Sequence, residues 1–312
     1  MKILFMGTPD FAEHILAAIC DSKEHEVVAA VTQPDRPKGR SGTLVASPVK
    51  EYASSHGIRV LQPVKIRQSE EIKKLREIDA DIYVVAAFGQ ILPPEVLSIP
   101  KKGCVNVHAS LLPEYRGAAP IQRAIMDGRK VTGVTVQQMN EGVDTGDIIS
   151  TVEVAIDPDE TGESLFDKLK EAGAQLIVRT LRDIESAEAS FTPQDESKAT
   201  YAGMLKKEMG LIDFTKTADE IERLVRAFSP WPGTYTYLGK KMLKIKKCRV
   251  VPGGGKPGEV ISVSKDEIAV ACAENALAVT VVQLEGKREM TVHDFLLGSS
   301  IKTGTMLGNT AQ

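Results

Sequence analysis

The chain has 312 residues, 42% of them hydrophobic and 26% charged, with a formal net charge of −3. That balance describes an ordinary globular protein long enough for two domains, and no run approaches the roughly 18 apolar residues of a membrane span. The N-terminal apolar run stops at Thr8-Pro9-Asp10, too early for a signal peptide, and Cys20, Cys104, Cys248 and Cys272 are scattered without metal-ligand spacing. Free thiols, a cytoplasmic setting, no membrane contact and no metal are expected.

Residues 2–6 form an apolar strand, and Thr8-Pro9-Asp10 supplies a helix N-cap with proline at the first helical position. The helix runs to about residue 21 and a strand follows at 27–31, a βαβ opening. The Gly7-Thr8-Pro9-Asp10-Phe11 turn lacks the G-x-G-x-x-G pattern, which argues against a dinucleotide site. A strand at 81–87, apolar on both faces, implies a parallel sheet covered on both sides. Strands at 103–107, 131–138 and 147–154, a helix near 118–126 and a long helix near 163–185 continue the alternation. The pattern predicts a doubly wound, mostly parallel α/β domain over residues 1–188.

Residues 189–208 are polar and read as a linker. One helix follows near 218–228, closed by Ser229-Pro230-Trp231-Pro232-Gly233, whose tryptophan reads as an anchor for the domain junction. Short β-type runs at 234–238, 241–251, 258–263, 267–272 and 276–284 predict a small OB-like β-barrel within 209–312.

The stretch 104–116 carries the strongest chemical signal. Alternation puts Val105 and Val107 on one strand face and Asn106 and His108 on the other, near the end where α/β sheets bind ligands. The acidic, glycine-bearing loop 139–147 offers Asp144 as a third partner, which would favour the imidazolium of His108 and orient the ring. The bland alternative is a turn-capping Asp144 beside a satisfied interior histidine. An amide and an imidazolium aimed at one point suit the oxyanion formed when a nucleophile adds to a carbonyl. Ser110, followed by Leu111-Leu112-Pro113, reads as a pocket wall rather than a covalent nucleophile, so transfer between two bound substrates is favoured.

Charge is uneven. From Gly203 onward the chain has 16 basic and 12 acidic residues, net +4, against 23 and 30, net −7, before it. Six basic residues lie in 240–249, and Arg36, Lys38 and Arg40 lie in a glycine- and proline-rich loop at 33–43. Both segments could grip phosphates, although a solvated surface explains each equally simply.

These residues resemble the methionyl-tRNA formyltransferase family, a branch of the folate-dependent formyltransferases. The likeness runs from Gly7-Thr8-Pro9-Asp10-Phe11 and Gln33-Pro34-Asp35-Arg36-Pro37 through Asn106-x-His108-x-Ser110-Leu111-Leu112-Pro113 and Arg116-Gly117-Ala118-Ala119-Pro120. Asp144-Thr145-Gly146-Asp147 and Phe228-x-Pro230-Trp231-Pro232 complete it. The resemblance implies formyl transfer from 10-formyltetrahydrofolate to the methionine amino group of initiator methionyl-tRNA. It further implies that Asn106, His108 and Asp144 are catalytic, that Ser110, Leu111, Leu112 and Pro113 contact folate, and that Arg40 approaches the tRNA. The C-terminal barrel is then the tRNA-binding domain, and no feature demands more than a monomer. The nearest rival is a folate-dependent formyltransferase acting on a small amine such as a ribonucleotide or amino sugar.

Overall fold

Strand β1 (Lys2–Gly7) is buried from Ile3 onward and is an interior strand of a seven-stranded sheet. In this computed structural model, which describes residues 1–38 and 42–308, the chain continues through α1 (Asp10–Ser22), β2 (Glu26–Val31) and the paired strands β3 (Arg36–Lys38) and β4 (Thr43–Val45). It then forms α2 (Pro48–Ser55), β5 (Arg59–Leu61), α3 (Ser69–Arg76), β6 (Ile82–Ala86), α4 (Pro94–Leu97) and β7 (Cys104–His108). Next come β8 (Arg116–Gly117), α5 (Pro120–Met126), β9 (Val131–Gln138), β10 (Ile148–Ala155), α6 (Gly162–Glu185) and β11 (Tyr201–Ala202). Two compact units result, one of residues 1–120, 131–155 and 166–202, the other of 121–130, 156–165 and the chain from Gly203 onward.

The sheet of the first unit has the order β10-β9-β7-β6-β1-β2-β5. Strands β7, β6, β1, β2 and β5 run parallel, whereas β9 is antiparallel to β7 and β10 to β9. This is the doubly wound, mostly parallel architecture expected from the alternation of elements. Leu4, Met6, Ala29, Val31, Tyr83, Val85 and Cys104 face Leu75 of α3 and Val96 of α4 in one apolar cluster. On the opposite face, a Cβ at Gly173 of α6 would touch Val107, Val134 and Phe11 of α1. Two-sided burial is why β6 reads as an uninterrupted apolar run.

The start of α1 differs from expectation. Pro9, not Thr8, occupies the N-cap position, and no side chain caps the helix. Thr8 instead donates to the Phe88 carbonyl at 3.0 Å, and Gln33 Nε2 reaches the same carbonyl at 3.2 Å. The loops after β1, β2 and β6 are thus tied together by their own side chains at the point where strand order reverses, the usual place of a dinucleotide. The 33–43 segment, read as a loop, contains β3, which pairs in antiparallel fashion with β4.

Residues 192–202, within the stretch read as a linker, are tied to the first unit. Thr192 and Ile148 exchange backbone bonds of 2.8 and 2.9 Å, and β11 pairs in parallel with β8. Their polar composition hides this because most of the bonds involve main chain or lone side chains rather than an apolar face.

In the second unit, α7 (Ala218–Ala227) begins at a capping box of Thr217 and Glu220. It is followed by β12 (Thr234–Leu238), β13 (Lys241–Val251), β14 (Val260–Val263), β15 (Ile268–Ala271), β16 (Ala276–Leu284), β17 (Met290–Thr291), α8 (Val292–Leu297) and β18 (Leu307–Gly308). The antiparallel order is β14-β15-β16-β13-β12-β18, with β17 against β16. Val260 N donates to Thr305 O and Leu307 N to Gly258 O, both at 2.8 Å, so the two ends of the curled sheet meet. Ile221 and Val225 of α7 join Leu243, Ile245, Val270 and Leu277 in its core. This is the small β-barrel the spacing of turns predicts. Trp231, read as an anchor for the domain junction, is 52% exposed. Among the described residues no helix is long and apolar enough to cross a membrane, and all four cysteines are free thiols.

Candidate functional site

The period-two geometry of β7 sorts its side chains as the sequence requires. Val105 and Val107 are 0% and 3% exposed in the core, while Asn106 and His108 lie on the other face toward the strand's C-terminal end. His108 Nε2 contacts the Tyr115 carbonyl at 3.0 Å. A carbonyl only accepts, so Nε2 carries a proton and Nδ1 is turned the other way. Nδ1 lies 3.6 Å from Oδ2 of Asp144, an ion-pair separation longer than a hydrogen bond.

Asp144 comes from the loop between β9 and β10, and its carboxylate is addressed from several directions. Oδ1 accepts from Asn106 Nδ2 at 3.3 Å and from Gln137 Nε2 at 2.9 Å, and Oδ2 accepts from the Gly117 N–H at 2.8 Å. Its φ of 55° is left-handed, a conformation that costs a non-glycine residue on the order of 1–3 kcal/mol and persists only where surroundings enforce it. Part of the enforcement is the approach of Gly146 to β9: a Cβ there would lie 1.6 Å from the Gln138 carbonyl oxygen. Asn140 closes the loop by accepting from Gly142 N at 3.0 Å and Thr145 Oγ1 at 2.7 Å.

The turn after β7 is equally constrained. Ser110 is fully buried and its hydroxyl donates to the Glu114 carbonyl at 2.6 Å, which leaves it no base that could make it a nucleophile. Thr135 Oγ1 donates to the Ser110 carbonyl at 2.7 Å and accepts from Leu112 N at 3.1 Å. Leu111 packs over Gly133 of β9, where a Cβ would come within 2.5 Å of its Cδ2, and Pro113 O accepts from Thr200 N at 3.2 Å. The segment 110–113 thereby returns the chain so that Tyr115 can hold His108.

Asn106, His108 and Asp144, separated by up to 38 positions in sequence, are brought together. Ser110, Leu111, Leu112 and Pro113 form the adjoining turn. Arg40 lies outside the described residues. Sequence reasoning missed Gln137, the Gly117 N–H and Gln194, whose Nε2 lies 2.9 Å from the Asp144 carbonyl oxygen and 2.7 Å from that of Gly146. A main-chain donor leaves no mark in sequence, and Gln194 sits in a stretch without periodicity. Arg116, 1% exposed, could have been found as a basic residue in an otherwise small and apolar motif; it binds Gln194 and Glu196. Its guanidinium holds the Glu196 carboxyl below the usual carboxylate range.

Asn106 is half-buried, and only one of its two amide hydrogens is needed for Asp144. The arrangement therefore offers an N–H donor and an imidazole edge around one carboxylate at the rim of a sheet. Such a site can receive a carbonyl oxygen that gains negative charge and can help move a proton.

Residues 1–181 match the family model for formyl transferase, and residues 204–300 match the model for the formyl transferase C-terminal domain. The chain is 50% identical over 307 residues to a methionyl-tRNA formyltransferase of Agathobacter rectalis, covering 98% of this chain and 99% of the relative. It is 49% identical over 315 residues to the one of Lachnospira eligens, covering 99% and 100%. Among solved structures, an N-formyltransferase from Helicobacter canadensis, in complex with folinic acid and dTDP-3-aminofucose, shares the fold. It has a TM-score of 0.68 at 19% identity and covers 89% of this chain and 98% of that one. HypX from Aquifex aeolicus, in complex with tetrahydrofolic acid, superposes at a TM-score of 0.64 and 18% identity, over 96% of this chain and 47% of that one. With both domain models matched in order and half of all positions shared along its full length, the chain belongs to the methionyl-tRNA formyltransferases, within the formyl transferase family.

Proposed function

We propose that the protein transfers a formyl group from 10-formyltetrahydrofolate to the α-amino group of methionine on initiator tRNA, supporting the start of translation. The observation that carries the chemistry is the convergence of Asn106 and His108 on Asp144 at the end of β7. The acceptor is inferred from the name of the relatives that match along the whole chain.

A free α-amino group titrates near about 8, so an appreciable fraction is neutral at cytosolic pH and needs little activation. The demanding part of the reaction is the negative charge that builds on the formyl oxygen as the amine adds. Asn106 Nδ2 and, with the ring protonated on both nitrogens, His108 Nδ1 would donate to that oxygen, and Asp144 would orient both and help pass the amine proton toward the departing folate nitrogen. Among the described residues no serine or cysteine is engaged with a base at this site, so the amine attacks the donor directly. Leu111 and Leu112, beside the strand end, would border the folate, and the Arg40 loop would approach the acceptor stem.

The run 240–249 of the barrel would meet the tRNA backbone. Two of its six basic residues face acids: Arg249 bonds Glu267 at 2.7 Å, and Lys246 Nζ lies 3.6 Å from Glu289. Phosphate contacts would therefore fall mainly to Lys240, Lys241, Lys244 and Lys247.

The test is direct. The protein is incubated with 10-formyltetrahydrofolate and either methionylated initiator tRNA or an amino-sugar nucleotide. Formyl-methionyl-tRNA should accumulate and the sugar should remain unmodified. Formylation of the sugar with no product on tRNA would replace this reading with the small-amine alternative.

A further inference from the structure

Gln194 and Arg116 lie outside the three groups that would meet substrate, yet their bonds lead to Asp144. Gln194 Nε2 spans two carbonyls of the Asp144 loop, that of Asp144 itself at 2.9 Å and that of Gly146 at 2.7 Å. Its Oε1 accepts from Arg116 Nε at 3.1 Å and Nη2 at 2.8 Å. The far side of the guanidinium is held in a two-bond fork by Glu196, at 2.9 and 2.7 Å. The residue after Arg116 donates its own N–H to Asp144 Oδ2. The two segments involved also pair with each other as β8 and β11. Asp144 is thus gripped twice from the same brace, by its carboxylate through Gly117 and by its backbone through Gln194.

We propose that Gln194, fixed by Arg116, is a positioning residue that holds Asp144 in its left-handed conformation and so sets the carboxylate between Asn106 and His108. The inference rests on the reading of Asp144 as part of the reaction. Arg116 is buried and Gln194 partly so, and taking the guanidinium out of water is costly unless its donors are paired, as they are in this geometry. The two Gln194 hydrogens are needed at two carbonyls that no helix or sheet satisfies through this position. Loosening them frees the loop to relax out of φ 55°. A displacement of about 1 Å at a reacting centre can cost on the order of 10²-fold in rate.

The substitution Gln194→Glu isolates the role. A carboxylate keeps the length of the side chain and its bond to Arg116, but presents oxygen rather than N–H to the two carbonyls. Expected for Q194E is a kcat lower by about 10²-fold, with KM for both substrates within roughly threefold of wild type, the signature of lost transition-state positioning. A double-mutant cycle with Asp144→Asn then decides the route. If Gln194 acts through Asp144, Q194E adds less than about twofold to the loss already caused by D144N, because coupled residues are non-additive. Equal factors in both backgrounds, or a wild-type kcat in Q194E, overturn the proposal. A D144N enzyme with wild-type kcat instead removes the reading of the site on which it rests. Should Q194E melt below the assay temperature, Gln194→Met, which loses both donors at similar volume, is read through the same cycle.

Discussion

Oδ2 of Asp144 lies 3.6 Å from Nδ1 of His108, while the opposite ring nitrogen donates to the Tyr115 carbonyl at 3.0 Å. The imidazole is held between a carbonyl and a carboxylate, so Asp144 decides what the ring presents to substrate. Asp144→Asn keeps the shape of the side chain and removes the charge. Turnover is expected to fall about 10²–10³-fold, with tRNA affinity by filter binding unchanged. Loss of tRNA binding in parallel with turnover would assign Asp144 to the acceptor instead.

The loop bearing Asp144 depends on a glycine. A Cβ at Gly146 would sit 1.6 Å from the Gln138 carbonyl oxygen, a backbone atom of β9 with little freedom to withdraw. Gly146→Ala should destabilise the fold by about 1–3 kcal/mol and lower kcat even at temperatures where the variant remains folded. Thermal melting and activity at low temperature separate the two effects.

Ser110 tests the absence of a covalent step. Its hydroxyl is donated to the Glu114 carbonyl and meets no base. Ser110→Ala should cost about 1 kcal/mol of stability, the worth of one such bond, while transfer proceeds. Mass spectrometry of the wild-type enzyme with the formyl donor alone should find no protein 28 Da heavier, the increment of a formyl ester from elementary chemistry. A formylated serine would contradict direct transfer.

Acid sensitivity has a specific local origin. Hydrogen bonds from Lys50 at 2.6 Å and Gln62 at 2.7 Å hold the Asp35 carboxyl below its ordinary range. A carboxylate depressed by folding stabilises the native state above its unfolded value, near about pH 4, and that contribution disappears as pH falls through the lower folded value. Asp35→Asn should therefore lower Tm at pH 7 and cease to differ from wild type at the acid end. A Tm deficit that persists unchanged into acid would show that packing, not ionisation, sets the effect.

Much of this site could be read from local pattern. Asn106 and His108 stand out because strand alternation places two polar side chains opposite two core valines, and Asp144 stands out because acidic residues and glycines share one short loop. Their partners were hidden for physical reasons. Tyr115 and Gly117 act through main-chain groups, and Gln194 acts from 50 residues away in a segment with no apolar face. The same limit applies to the fold. Long or strongly apolar elements such as β6 and α6 were legible, whereas α2 and α3, eight residues each, span too few turns for a periodic signal. Thr8 misled because its sequence context is that of a cap, yet the Phe88 carbonyl takes its hydroxyl.

The central claim is that the amide of Asn106 stabilises charge on the formyl oxygen during transfer. Single-turnover formylation by Asn106→Ala, with donor and methionylated initiator tRNA both saturating, measures that step directly. A rate reduced about 10²–10³-fold with tRNA affinity intact is the expected result. A wild-type rate under the same conditions would contradict the account.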